Sequence, residues 1–502
     1  MPLRSAQWIA TALVGLCLLA PAVSAQPAGL QADIDQILDD SLMANAWWGA
    51  MAVDIASGDV LFSRNASRSF MPASVTKLFT TAAALDRLGP DATYQTEVFI
   101  DGPVVDGRLL GNLIVRGSGD PTIGGETSKN RKAVFRAWAD SLRAMGVTRI
   151  LGDIIGDDDI FDDTPFGVIW SWDDETFGYA AAVSGLSFHD NVIDLTLKPR
   201  ALGQPASVSW EPDRTSYVQI VNRTVTTASG SRLTEGYDRT RESNVITLTS
   251  EIPLGRSDTE QLTVHNPTQY FVHVLRETLL QEDIAVHGRA VDVDALSIRP
   301  NYAGSHLRRI ATHVSAPLSQ IIEIINKESQ NLYAEQVLRT LAVRYPVSGK
   351  DLTPGSAEMG IQSAMATYHA AGIDTSRLQL VDGSGLSRKN LVTPEMVVSL
   401  LRFMDRHEDP AVRTAFLASL SVGGRDGTLA HRFRSGAAAG GRVRAKTGSL
   451  GNVNALCGFV DTAEGRRIAF ALLSNHYTIK MRHITRVQDR IVSRLARQRM
   501  AR

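Results

Sequence analysis

Two cysteines in 502 residues are too few for a disulfide framework or a structural zinc site. Neither charge is in excess: 52 Lys and Arg stand against 53 Asp and Glu, for a net charge of −1. Without a basic surplus to neutralise phosphates, nucleic acid is not the main partner. Long apolar runs are scarce as well. The one that stands out, residues 8–20, is too short to span a bilayer comfortably. The eleven histidines contain no His-Glu-x-x-His zinc pattern. Gly117-Ser-Gly119 lacks the third glycine of a dinucleotide-binding loop and reads as a turn, and Ser384 has no Gly-x-Ser-x-Gly frame around it. What is present is ordinary globular composition, 44% hydrophobic and 21% charged, at a length that suggests about three domains.

The N-terminus carries an address. Arg4 precedes the apolar run, and Val23-Ser24-Ala25 supplies small residues at its exit. A positive start, a short apolar core and a small-residue end predict a secretory signal over 1–25, cleaved after Ala25, and hence a protein of the periplasm or cell envelope. Bulky Leu16 before Cys17 argues against lipoprotein processing, so Cys457, in an apolar strand, remains as a buried small hydrophobe.

Beyond this segment the texture changes twice. Ile34, Ile37, Leu38 and Leu42 have helical spacing; 50–62 reads as strand, Ser-Gly-Asp turn and strand. A helix follows, with Pro72 and Ser74 at its start, Val75, Leu78, Phe79, Ala82, Leu85 and Leu88 along one face, and Gly89-Pro90 at its end. From 98 to 299 short alternating strands such as 113–116, 191–197 and 244–249 dominate, predicting a β-rich insert of two subdomains. Helical periodicity then returns, with one helical stretch read over 321–338. Residues 468–473 read as a buried strand, and a last amphipathic helix carries Ile484, Val487, Ile491 and Leu495. The expected organisation is α/β (α+β): a discontinuous domain, 26–97 and 300–502, with a central antiparallel sheet flanked by helices and interrupted by the insert. The basic face of the last helix is expected to be solvated, with at most weak membrane-surface association.

Three short motifs could carry chemistry. Ser74-Val-Thr-Lys77 places a hydroxyl and an amine three residues apart on a helix, on one face. Serine becomes a nucleophile when an adjacent base takes its proton, and a lysine is that base only when burial or neighbouring positive charge keeps it neutral. The plainer alternative is an N-cap serine beside a solvated lysine. Ser329-Gln-Asn331 suits a helix end or short loop where hydroxyl and amide converge, or a surface polar pair. Lys446-Thr447-Gly448-Ser449 reads as an edge strand beside a cleft. There a cation and a hydroxyl could hold a carboxylate and Gly448 would admit a second backbone, unless the segment is a strand-initiating turn. Each is weak alone; their order, all outside the β-rich insert, is the strong signal.

With these motifs in this order the chain resembles the penicillin-recognising serine enzymes, and among them the D-alanyl-D-alanine carboxypeptidases/endopeptidases with a large insert, the class C low-molecular-mass penicillin-binding proteins. The long interval between Lys77 and Ser329 separates it from compact β-lactamases. Gly119-Asp-Pro-Thr122, Trp172-Asp-Asp174, 184–191, Asp382-Gly-Ser-Gly-Leu-Ser-Arg388 and Gly424-Arg-Asp-Gly-Thr-Leu429 are similar to the same family. The resemblance implies a transpeptidase-like catalytic domain in which Ser74 is acylated, Lys77 is its general base and Ser329 relays a proton to the leaving amine. It implies that Asn331 binds an amide carbonyl and that Lys446 and Thr447 hold the terminal carboxylate. Gly448 lines the substrate strand, and the N–H groups of Ser74 and Ser449 form the oxyanion hole. Asp174 would reach toward an amine on the substrate. The implied substrates are peptidoglycan stem peptides ending in D-Ala-D-Ala, with β-lactams as covalent inhibitors and no cofactor or metal. Hydrolysis of β-lactams or esters through the same acyl-enzyme is one alternative; a catalytically silent wall-binding module is another.

Overall fold

The computed structural model describes residues 28–125, 128–348 and 352–499. The expected signal segment, 1–25, lies outside the described residues. The part of the fold formed by the two ends of the chain is built on a six-stranded antiparallel sheet. In spatial order its strands are Val60–Arg64, Trp47–Asp54, Arg467–Asn475, Val453–Asp461, Val443–Leu450 and the two-residue Ser421–Val422. Strands from the two ends of the chain meet at its middle, with Trp47 opposite Asn475 and Asp54 opposite Ile468.

Apolar side chains on both faces of the central strands explain their unbroken hydrophobic runs, since successive residues point to opposite sides. Ala469, Ala471 and Leu473 face one core, shared with the helix Thr76–Leu88 and the helices around it. Ile468, Phe470 and Leu472 face another, shared with Ala28–Leu38 and the terminal helix Met481–Ala496. The stripe Ile484, Val487, Ile491 and Leu495 is buried there against the sheet. Among the described residues no helix is long and apolar enough to cross a membrane. Cys457 is fully buried on the first face, and burial pushes its thiol up to about 12.

The region between the halves is β-rich and contains two helices that strand counting overlooks, Ala133–Ala144 and Pro267–Gln281. Their signals are Phe135, Trp138, Ala139 and Leu142 at helical spacing in the first, and in the second the Asn266 side chain capping Gln269 N just before Pro267. A five-stranded sheet runs Ala290–Asp292, Ile154–Asp157, Leu113–Arg116, Gln95–Ile100, Arg308–Val314. Its outer pairing joins 95–100 to 308–314, so the sheet reaches past both expected limits of 98 and 299. The strands Val192–Lys198 and Val245–Leu248 belong to a second group of small sheets. Both groups share one apolar core, in which Phe135 stacks on Phe188 at 4.6 Å and meets Phe271 edge-on at 4.9 Å.

Two further expectations are corrected. Leu42 lies beyond the first helix, in a short turn, and is 49% exposed. The stretch 321–338 is two helices, Leu318–Lys327 and Asn331–Arg344, with Ser329 between them at φ 65°. Periodicity could not reveal this break, because apolar positions recur on both sides of it. Lys446–Ser449 is the edge strand the sequence suggests, since the pairing of Val443–Leu450 with Ser421–Val422 ends at Ala445.

Candidate active site

Ser74 sits in a single 3-10 turn, Ala73–Val75, that leads directly into Thr76–Leu88. Ala73 takes φ 48°, a left-handed conformation that costs energy for any residue with a Cβ and recurs at functional turns. One turn along, Lys77 is wholly buried, with Nζ 3.0 Å from Ser74 Oγ. Its other neighbours are Asn331 Oδ1 at 2.5 Å and the Ser384 carbonyl at 2.7 Å. Burial brings the Lys77 amine down to about 7, against the opposing pull of Asp382 and Glu335. A lysine so tuned is substantially neutral at physiological pH, and its lone pair faces a hydroxyl.

The break between helices presents Ser329 and Asn331 to this pair. Asn331 accepts from Lys77 through Oδ1 and donates through Nδ2 to the Tyr179 carbonyl of the insert at 2.6 Å, leaving a second N–H free to point into the cleft. Ser329 Oγ lies 2.8 Å from Lys446 Nζ. Lys446 is also fully buried, and desolvation together with Lys77 holds its amine well below the ordinary lysine range. Thr447 donates to Thr428 Oγ1 at 2.9 Å.

Gly448 is where the strand and the Ser74 turn touch. A Cβ there would come within 2.5 Å of the Pro72 carbonyl and 3.1 Å of Ser74 N, so only glycine permits the approach. Gly385 does the same from the other side: its φ is 85°, and a Cβ would fall 1.9 Å from the Ala73 carbonyl. Ser449 lines the cleft, its hydroxyl turned to Met481 Sδ at 3.5 Å.

Two carboxylates that sequence reasoning left without a role hold the loop behind Lys77. Glu335, buried, accepts from Gly383 N at 3.0 Å and Ser384 N at 2.8 Å, which aims the Ser384 carbonyl at Lys77. Asp382 accepts from Gly385 N at 2.8 Å, Ser387 N at 2.7 Å, Asn390 Nδ2 at 2.7 Å and Trp170 Nε1 at 3.0 Å. The stretch 382–388 was visible in the sequence. Glu335 looked like an ordinary helical surface acid; its one clue is Arg339 a turn later, whose Nη1 lies 3.5 Å from Glu335 Oε2.

Ser74, Ser329, Asn331 and Ser449 open onto a cleft of about 860 Å3. Its far wall comes from the insert: Ile169, Trp172 and Asp174 line it, with Tyr179 donating to Asp174 Oδ1 at 2.6 Å. Arg388 closes one side, donating to the Gly451 carbonyl at 3.0 Å. Asp426 stays outside, accepting from Val422 N at 2.7 Å and pairing with Lys327 at 3.0 Å.

The D-Ala-D-Ala carboxypeptidase 3 (S13) family matches residues 30–498. The chain is 35% identical to a D-alanyl-D-alanine carboxypeptidase of Actinomadura sp. (strain R39), over 95% of this chain and 86% of that protein. It is 27% identical to the D-alanyl-D-alanine carboxypeptidase DacB of Haemophilus influenzae, over 86% and 85% of the two chains. The crystal structure of penicillin binding protein 4 from H. influenzae superposes with a TM-score of 0.78 at 23% identity, covering 93% of this chain and 99% of that one, so the fold is shared. With a buried lysine beside a helix-borne serine and a match running the length of the described chain, the protein belongs to the D-Ala-D-Ala carboxypeptidase 3 (S13) family, the serine carboxypeptidases among the low-molecular-mass penicillin-binding proteins.

Proposed function

We propose that Ser74 is the acylated nucleophile of this carboxypeptidase, with Lys77 as its general base. The single observation that carries the reading is the 3.0 Å approach of a fully buried lysine amine, lowered to about 7, to the serine hydroxyl. Substrate binding then has a consequence for both lysines. The terminal carboxylate of the peptide, arriving between Lys446 and Thr447, favours the ammonium form of Lys446, and that new positive charge disfavours a proton on Lys77. The substrate thus sharpens the base that attacks it. Ser74 Oγ adds to the carbonyl of the penultimate D-Ala while the free N–H of Asn331 holds an amide carbonyl of the stem. The N–H groups of Ser74 and Ser449 face the developing oxyanion, an interaction whose loss costs about 2.7–4 kcal/mol elsewhere. Ser329, bonded to Lys446, returns the proton to the departing D-alanine, and water releases the acyl group.

Asp174, at the far wall, is placed to pair with an amine on the stem. The same chemistry on a cross-linking amine gives D,D-endopeptidase action, and β-lactams acylate Ser74 as substrate mimics. The division into a catalytic unit, 26–97 and 300–502, and an inserted unit, 98–299, belongs to this proposal. So does export to the cell envelope through the signal over 1–25.

The test is intact mass after incubation with benzylpenicillin, wild type beside Ser74→Ala. One penicilloyl adduct on the wild type and none on the variant is the expected result. No adduct together with no penicillin turnover would overturn the reading.

A further inference from the structure

The cleft in front of Ser74 is lined by residues of 169–174, 179, 385–388 and 449–451, and Glu328 and Ser329 also line it. A second cavity, of about 730 Å3, starts at that same Glu328 and runs between the insert and the helix Leu318–Lys327. We propose that this second cavity is the subsite for the leaving strand of a cross-linked peptide, so that the protein holds both arms of a D,D-cross-link at once. The inference rests on the acyl-enzyme reading and names the substrate class it serves.

Three observations carry it. The first is continuity, since Glu328 belongs to both walls and adjoins Ser329, the residue proposed to protonate the leaving amine. The second is proximity. The hydroxyl of Thr447 donates to Thr428 at 2.9 Å, two residues from Asp426, and Asp426 binds Lys327, a lining residue of the second cavity, at 3.0 Å, so the strand of the carboxylate site and the second cavity share one set of contacts. The third is lining chemistry. Lys327, bound to Glu323 at 2.7 Å, and Glu328 bring charged groups to the wall, His313 a ring nitrogen, and Ile324 and Val134 apolar surface. His313 is backed by buried Asp120, its Nε2 3.5 Å from Asp120 Oδ2. A mixed lining of this kind suits a zwitterionic stem peptide, which carries amines and carboxylates on short aliphatic arms. D-alanine alone, the leaving group of the carboxypeptidase reaction, needs none of this space.

The step balances. The bond from Ser74 Oγ to the carbonyl carbon forms, and the carbonyl C–N bond to the cross-linking amine breaks. The hydroxyl proton of Ser74 ends on that amine, and water then splits the ester. The leaving amine is attached to a D-centre whose carboxylate takes the Lys446–Thr447 position, with the rest of the leaving strand in the second cavity.

Ala316 and Gln320 line this cavity with exposed side chains, so a large residue there obstructs it without entering the core. The test compares wild type, Ala316→Trp and Gln320→Trp on three probes: benzylpenicillin acylation, a D-Ala-D-Ala pentapeptide, and a purified D,D-cross-linked muropeptide dimer. For both variants the expected result is a KM for the dimer raised about tenfold or more, with acylation and pentapeptide turnover within about twofold of wild type. Dimer cleavage unchanged in both variants, or dimer and pentapeptide falling together, would overturn the subsite. A wild type that turns over the pentapeptide but never the dimer would overturn it too. Failure of acylation in the wild type would instead sink the acyl-enzyme reading itself.

Discussion

The two walls of the active cleft are built on opposite principles. The wall that holds Ser74, Lys77, Ser329 and Lys446 stands on a helix, a helix break and a sheet strand. Both of its lysines are completely buried, with several polar partners each. The facing wall is a loop of the insert whose apolar groups lie open: Trp172 is 69% exposed and Ile169 59%. Burial on regular elements lowers amine pKa values and fixes geometry, which chemistry needs. Exposure on a loop leaves surface for a ligand to cover, which recognition needs. Mutations in the first wall should therefore lower turnover, and mutations in the second should raise KM.

The largest break in this comparison is Ser74→Ala or Lys77→Ala. Either should reduce pentapeptide kcat by about 10^4-fold or more with little change in substrate affinity, measured by single-turnover kinetics and equilibrium binding. Gly448→Ala should come next. Its Cβ would press on the Pro72 carbonyl and move the nucleophile turn, lowering kcat/KM roughly hundredfold while the melting temperature changes little. Equal losses in turnover and stability would show that the contact serves packing instead.

A subtler test concerns pH. With Lys77 near 7, kcat/KM should fall as pH drops below about 7, because the protonated amine cannot accept the hydroxyl proton. Glu335 favours the ammonium form of Lys77, so Glu335→Gln should move that acidic limb to lower pH while preserving an acceptor for Gly383 and Ser384 N–H. A limb that stays in place would mean that Glu335 acts through shape alone. The smallest effects belong to the loop wall. Trp172→Ala and Asp174→Asn should raise the pentapeptide KM about three- to tenfold and leave kcat intact. A fall in kcat there would erase the distinction between the walls.

The sequence made the first wall more legible than the second, for a physical reason. Ser74 and Lys77 lie one helical turn apart and Lys446 to Ser449 lie along one strand, so local periodicity fixes which side chains share a face. The fold class followed similarly, because continuous runs such as 468–473 occur where a sheet is covered on both faces. Ser329 at a helix break was legible only in part: the Ser329-Gln-Asn331 spacing suited a helix end or loop, but Ile325 and Leu332 keep the helical rhythm on either side of it. Glu335 was missed because its one local clue, Arg339 a turn later, suits an exposed helical ion pair as well as an acid buried against a loop some fifty positions later. The insert's two helices were hidden by the strands around them.

The meeting of Trp47–Asp54 with Arg467–Asn475 sets a condition on biosynthesis. The strand that backs the nucleophile's sheet cannot find its central neighbour until the ribosome has passed Asn475. Until then the sheet beneath the helix that carries Ser74 and Lys77 lacks its middle pairing, so the support of both residues depends on a strand some four hundred positions away.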